Sequence, residues 1–278
     1  MHQINLLDET FDKNQAHNYN LSIQYGLNGL SFCLFDIIRS KFIAFRHYPE
    51  TESKPESLPS LLEHDDLLSL AFKETYLLYD AGQSILIPTP YFDESKASDY
   101  YKFTLTPQTS STILYNKLPS SIAANIFSCP DTTIEKFKKV FPSLTIFHRS
   151  TPFIENMIQE SAHWPRTKCY ISIHQGIIDI GLAHLKKLEF FNSFTYREKP
   201  DIAYYILNVL EQFKLPTICT DTFVSADMER HDDIFEYLNH VLAHIKFIRP
   251  SDKFTYSYIF DEFQLTRFAN LFNLSLCV

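Results

Sequence analysis

The chain has 278 residues and is 45% hydrophobic, which gives it enough apolar surface for a large folded core and excludes a disordered protein. Its 25 Lys and Arg are outnumbered by 33 Asp and Glu, for a formal net charge of −8, and that balance argues against a nucleic-acid partner, whose affinity comes from neutralised phosphates. Only five glycines are present, where about 20 would be usual at roughly 7%; neither GxxxxGK[ST] nor GxGxxG occurs, so the glycine-rich phosphate loops are excluded.

In chain order, the acidic start with Asp8, Glu9 and Asp12 does not read as a signal peptide. Leu21, Ile23 and Tyr25 then alternate with Ser22 and Gln24. Gly26-Leu-Asn-Gly29 supplies turn chemistry, Leu30, Phe32 and Leu34 alternate again, and Lys41 to Tyr48 follows. This predicts a three-stranded antiparallel meander. Ser60-Leu-Leu-Glu63 has the capping-box pattern and opens a helix expected to reach about Leu78. Ile85-Leu-Ile87 reads as a short strand. A stretch from about Asp93 to Pro130 reads as an insertion, with a polar helix and a hairpin of Thr112–Leu118 and Ile122–Ser128. Ile134, Phe137 and Phe141 stripe a helix capped by Asp131. Leu144 to Phe147 is the next strand, and Pro152 to about Ser161 a closing helix.

The same order recurs. Residues 148 apart match in type, Ile23 with Ile171, Phe32 with Ile180, Leu34 with Leu182, Phe42 with Phe190 and Tyr48 with Tyr196. A second meander is predicted over Cys169–His174, Gly176–His184 and Lys187–Phe194. Pro200 suits a first helical turn, and Ile202, Tyr205, Ile206, Val209, Leu210 and Phe213 form one apolar stripe. Thr217-Ile-Cys219 reads as a strand, Ile234, Leu238, Val241 and Leu242 as a helix, Ile245 to Ile248 as a strand, and about Phe260 to Leu271 as a final helix. Each half is βββαβαβα, so each predicts a mixed sheet of five strands with helices on both faces. The expected domains are 1–162, carrying the insertion at about 93–130, and 163–278.

Other constellations stay ordinary. Cys33, Cys129, Cys169, Cys219 and Cys277 are odd in number, lack CxxC spacing and read as buried structural thiols. His240 and His244 have helical metal-pair spacing without HExxH, and the helix is expected to end near Leu242. His64-Asp-Asp66 and His231-Asp-Asp233 read as polar helix surface. No GxSxG elbow occurs and nothing places a cysteine nucleophile. No metal site is expected, and no stretch approaches the ~18 apolar residues of a membrane span.

The duplicated meanders, Ile85-Leu-Ile-Pro-Thr-Pro-Tyr-Phe92, and Phe190-Phe-Asn-Ser-Phe194 followed by Asp201 and Tyr204-Tyr-Ile-Leu207 carry a resemblance. The first two are similar to the ribonuclease H-like units of the actin, sugar-kinase and Hsp70 superfamily. The third resembles a bacterial family of unknown function in that group, over nearly the whole chain. The resemblance implies an actin-like ATPase fold. It also implies phosphate turns at Gly26-Leu27-Asn28-Gly29 and Gln175-Gly176, and an adenosine turn near Cys219-Thr220-Asp221-Thr222. Active members place an Asp at each phosphate turn to handle Mg²⁺ or water. Here the first turn has no carboxylate, His174 or Gln175 occupies the second, and the third has no glycine.

The expectation is therefore a degenerate, non-hydrolysing scaffold or protein-interaction module in the cytoplasm. It would have no cofactor and an unidentified protein partner, and would resemble the cytoplasmic domains of type II secretion L and pilus assembly M proteins. The alternative is a divergent ATPase or small-molecule kinase binding nucleotide in the inter-domain cleft. Gly26, Asn28, Gly29, Gln175, Gly176 and Thr220 would then be its contacts. A ribonuclease H-like nuclease would need several carboxylates on two metals, and the meanders offer only Asp36, Asp179 and Glu189.

Overall fold

A computed structural model describes residues 3–226 and 231–278. Its chain divides into two compact units. One comprises Met1–Lys117, Ala124–Arg149 and Ser251–Gln264; the other comprises Leu118–Ala123, Ser150–Pro250 and Leu265–Val278. This division differs from the expected cut at 162/163. The segment from 150 belongs to the second unit, and the chain returns to the first at 251.

The first unit opens with β1 (Ile4–Leu7) and the meander β2 (Tyr19–Gly26), β3 (Gly29–Asp36) and β4 (Lys41–Pro49). The expected long helix is only α1 (Leu58–His64), and Leu78 lies instead in β5 (Glu74–Asp80). Glu74-Thr-Tyr-Leu-Leu-Tyr-Asp80 is rich in strand formers and buries Tyr76 to Asp80 against β2, its parallel neighbour. The Ile85 strand, β6 (Ser84–Pro88), therefore does not join the main sheet. It pairs into a separate three-stranded sheet, order β6-β8-β7, with the expected hairpin β7 (Ser111–Leu118) and β8 (Ala123–Pro130). The polar helix is α2 (Ala97–Thr104), whose Ala97 and Tyr101 pack on Ile126. Then α3 (Asp131–Val140) and β9 (Thr145–His148) complete the main sheet, with order β1-β4-β3-β2-β5-β9. Four of the five central strands are those anticipated; β5 takes the place expected for Ile85–Ile87, and β1 widens the sheet.

In the second unit, α4 (Ser150–Glu160) packs against β11 (Ile177–His184) and the closing helix α7 (Ala269–Asn273). Here β10 (Lys168–His174), β11 and β12 (Lys187–Thr195) form the meander, α5 (Lys199–Gln212) carries the predicted stripe, and β13 (Thr222–Ala226), α6 (His231–Val241) and β14 (Ile245–Phe247) follow. The sheet order is β12-β11-β10-β13-β14, five-stranded and mixed. The fourth strand is β13, five residues beyond the expected Thr217-Ile-Cys219. Cys219 N–H instead donates to Pro216 O in a turn, and Ile218 is exposed. Cys219 is exposed too, unlike the buried Cys33, Cys129 and Cys169.

The two meanders share a defect as well as an order. Register slips between Leu34 and Phe35 where β3 pairs with β4, and between Leu182 and Ala183 where β11 pairs with β12. Those positions are again 148 apart. A bulge retained at one place in both copies is a designed feature of a duplicated unit.

The returning segment is tied to the first unit by β15 (Thr255–Tyr256), which pairs parallel with β4, and by Tyr256 stacked on Phe42 at 5.3 Å. It also reaches Asp8, whose carboxylate accepts from the Ser257 hydroxyl, from Lys41 Nζ at 2.8 Å, and from Thr10 N and Oγ1 at 2.7 and 2.6 Å. Burial alone would raise the Asp8 pKa, but these donors outweigh it and hold the carboxyl well below the usual carboxylate range. A depressed folded pKa means stability is fully present above the unfolded value of about 3.9 and is lost as pH falls below it. Asp8→Asn is expected to cost about 3 kcal/mol at pH 7 by urea unfolding, and the gap to wild type should narrow at pH 3.

Candidate functional site

Open α/β sheets bind ligands outside the carboxyl ends of their parallel strands. In the first unit β2, β5 and β9 run parallel, and their carboxyl ends are Gly26, Asp80 and His148. Here the turn Gly26-Leu27-Asn28-Gly29 joins β2 to β3, with Leu27 and Asn28 exposed. Its glycines answer to strand packing. A Cβ on Gly26 would lie 2.5 Å from Asp80 O, and one on Gly29 would lie 2.2 Å from Tyr48 O, at a φ of +116°. Both contacts are to backbone that cannot swing aside.

Beside this turn lies a buried polar cluster that sequence reading missed. Asp80 accepts from Gln24 Nε2 at 2.8 Å and pairs with Arg149 Nε at 3.8 Å. Arg149 is 2% exposed and His148 is fully buried. The Arg149 N–H donates to Tyr79 O, and His148 Nε2 lies 3.2 Å from Ala81 O. One carboxylate oxygen thus accepts from an amide, and the other faces a guanidinium of its own unit at ion-pair distance without a hydrogen bond. Asp80 went unnoticed because the helix was expected to run through Leu78; the run of strand-forming residues Thr75 to Tyr79, ending at Asp80-Ala-Gly82, was the available signal.

In the second unit the corresponding turn is Gln175-Gly176, between β10 and β11. Gln175 is exposed, and Gly176 has φ +76° with nothing within 4 Å of a built Cβ. This glycine serves backbone conformation in open space. His174 Nε2 lies 2.9 Å from Ser172 Oγ and 3.6 Å from Asp179, and Asp179 accepts from Ser193 Oγ at 2.5 Å. Asp179 is fully buried and committed to these neighbours. Thr220 does not follow the fourth strand as expected: it precedes β13, and its hydroxyl donates to Pro216 O at 2.8 Å. Thr220 therefore stands at the opposite end of β13 from an adenosine turn. The segment immediately after β13, 227–230, lies outside the described residues.

Two other motifs resolve structurally. Asp65 is buried and, with Asp66, binds Arg46 Nη1 at 2.8 and 2.7 Å, while its other oxygen accepts from the Leu67 and Leu68 N–H groups. It is an ion-paired structural acid, not the open helix surface expected. Tyr48 donates to the same carboxylate, and burial followed by that bond pushes its phenol up to about 12. His240 lies on α6 and His244 beyond its end; the side chains of His231 and Asp232 lie outside the described residues. Among the described residues no three His, Cys, Asp or Glu side chains are grouped to hold a metal, and no helix is long and apolar enough to cross a membrane.

The two kinds of turn glycine predict different costs. Gly26→Ala and Gly29→Ala should each lose about 3 kcal/mol or more by denaturant unfolding, through backbone overlap. Gly176→Ala should lose about 1 kcal/mol, for its positive φ alone. Wild-type stability in Gly29→Ala would contradict the packing assignment.

Solved structures share this architecture. A Bacteroides thetaiotaomicron protein described as having an actin-like ATPase fold and unknown function is 21% identical, with a TM-score of 0.77 over 86% of this chain and 94% of that one. The PilM-PilN type IV pilus biogenesis complex matches at 10% identity and TM-score 0.60, over 93% and 97%. The ethanolamine utilization protein EutJ from Carboxydothermus hydrogenoformans matches at 7% and 0.50, over 94% and 90%. At such identities the likeness establishes the fold, which is the actin-like ATPase fold. No curated protein matches the chain. The model of the family described as protein of unknown function DUF3822 matches residues 8–245, most of the chain, and the protein belongs to that family.

Proposed function

We propose that the protein is a non-hydrolysing actin-like module that works by holding a protein partner. The observation that carries this reading is the commitment of the acids nearest the two turns. Asp80 is engaged by Gln24 and Arg149, and Asp179 by Ser193 and His174. A carboxylate that anchors Mg²⁺ must present its oxygens to the ion. An acid paired with a buried guanidinium has its charge already balanced. The fold likeness to PilM, solved in complex with PilN, supports a partner-holding role. Five free thiols support a reducing compartment such as the cytoplasm.

One observation favours the second reading, a divergent nucleotide-binding protein. Gly176 keeps a positive φ in open space, which is the backbone freedom a phosphate turn uses.

Calorimetry and thermal unfolding with Mg-ATP separate the two. A ligand at 100 times its Kd stabilises by about 2.7 kcal/mol. The proposal expects no binding heat, no melting shift and no phosphate release. Its partner half is tested by purification from native extract and reconstitution with the candidate protein. Saturable Mg-ATP binding with steady phosphate release would overturn the proposal.

A further inference from the structure

The second unit has a pocket at the edge opposite its Gln175-Gly176 turn. Three parallel strands begin there: Lys168 starts β10, Asp221 immediately precedes β13, and His244 immediately precedes β14. Along β10 the two edges are about 20 Å apart at ~3.3 Å per residue. The pocket encloses about 440 Å³ and is lined by Trp164, Arg166, Lys168, Ile218, Cys219 and Asp221, among others. That volume suits a small organic molecule.

Lys168 is the unusual wall. The residue is 3% exposed, yet its ammonium makes no hydrogen bond or ion pair with any described residue. It lies 3.8 Å from the centroid of the Trp164 ring and 4.7 Å from that of Phe223. Aromatic faces attract a cation but replace its lost hydration only in part. Consistent with this, burial lowers the Lys168 pKa to about 8, with Asp221 and Glu160 opposing the shift and Lys246 adding to it. Asp221 acts on Lys168 only at a distance, because its carboxylate is ion-paired with Lys246 Nζ at 3.2 Å. The pocket therefore holds a largely buried cation that no described acid contacts directly, next to the exposed apolar surfaces of Trp164 and Ile218.

We propose that this pocket binds a small amphipathic monocarboxylate, its carboxylate on the Lys168 ammonium and its apolar body against Trp164 and Ile218. The charges of the lining and its neighbours select the class. Arg166, Lys168 and Lys246 against Asp221 and Glu160 leave a formal excess of one positive charge, which a monoanion balances. The Asp221 carboxylate disfavours a phosphate dianion. The inference does not rest on the function proposed above, since the site lies within one unit and away from its carboxyl edge.

Trp164 is the only tryptophan in the chain, so tryptophan emission, excited where tyrosine does not absorb, reports on this pocket alone. Titration with 4-phenylbutyrate is expected to give a saturable change in emission at millimolar concentration. The neutral 4-phenylbutyramide should bind about tenfold more weakly or worse, as should the acid to Lys168→Met, since a charge-assisted bond is lost. Asp221→Asn removes the competing negative charge and should tighten the acid several-fold; it keeps the proposal testable if Lys168→Met does not fold. Equal responses to acid and amide, an unchanged response in Lys168→Met, weaker binding by Asp221→Asn, or no saturation by 4-phenylbutyrate would each overturn it. So would a response confined to peptides, which would mark a protein-docking groove.

Discussion

A carboxylate that is 8% exposed cannot stand alone, and the carboxyl edge of the first unit is arranged around that constraint at Asp80. Gln24 from β2 supplies a donor, and Arg149, just past β9, supplies the counter-charge. The same residues extend the ladder, with Arg149 N–H on Tyr79 O. Asp80 also presents its backbone to the turn, and its carbonyl is what forbids a Cβ on Gly26. Charge compensation and strand packing thus meet at one residue.

The second unit meets a similar need with different atoms. Asp179 is buried one strand over from His174 and takes its donor from Ser193 on β12. The shared bulge, the shared hairpin register and the shared strand order show two copies of one architecture. Their turns have diverged. Gly26 faces Gly29 in the first, whereas His174 faces Ile177 in the second.

Much of the fold was legible in the sequence because alternation survives where a strand is half-buried. Both meanders, α5 with its Ile202-to-Leu210 stripe, and the inserted hairpin follow from periodicity alone. The failures have common physical origins. Tyr76 to Asp80 is buried on both faces, so it shows no polar alternation, and a capping-box pattern at Ser60 extended the helix over it. Thr217-Ile-Cys219 has strand-forming residues but sits in a turn beginning at Pro216, and the ladder forms only from Thr222. The Asp80–Arg149 pair joins residues 69 apart in sequence, and its meaning depends on β5 lying beside β9, which the misplaced helix concealed. The Lys168 pocket was invisible for a related reason: Trp164, Lys168, Phe223 and Lys246 come from three separate strand beginnings.

The five glycines carry less functional information than their positions suggest. Gly26 and Gly29 are required by neighbouring backbone, so their presence at this turn is no sign of a phosphate site. The account depends on Asp80 being a structural acid, committed to Arg149. A double-mutant cycle in urea with Asp80→Asn, Arg149→Met and the combined variant measures that directly. The account predicts a coupling of at least about 1 kcal/mol, with the double variant more stable than the sum of the single losses implies. Strictly additive losses, with Mg-ATP stabilising the wild type but not Asp80→Asn, would contradict it.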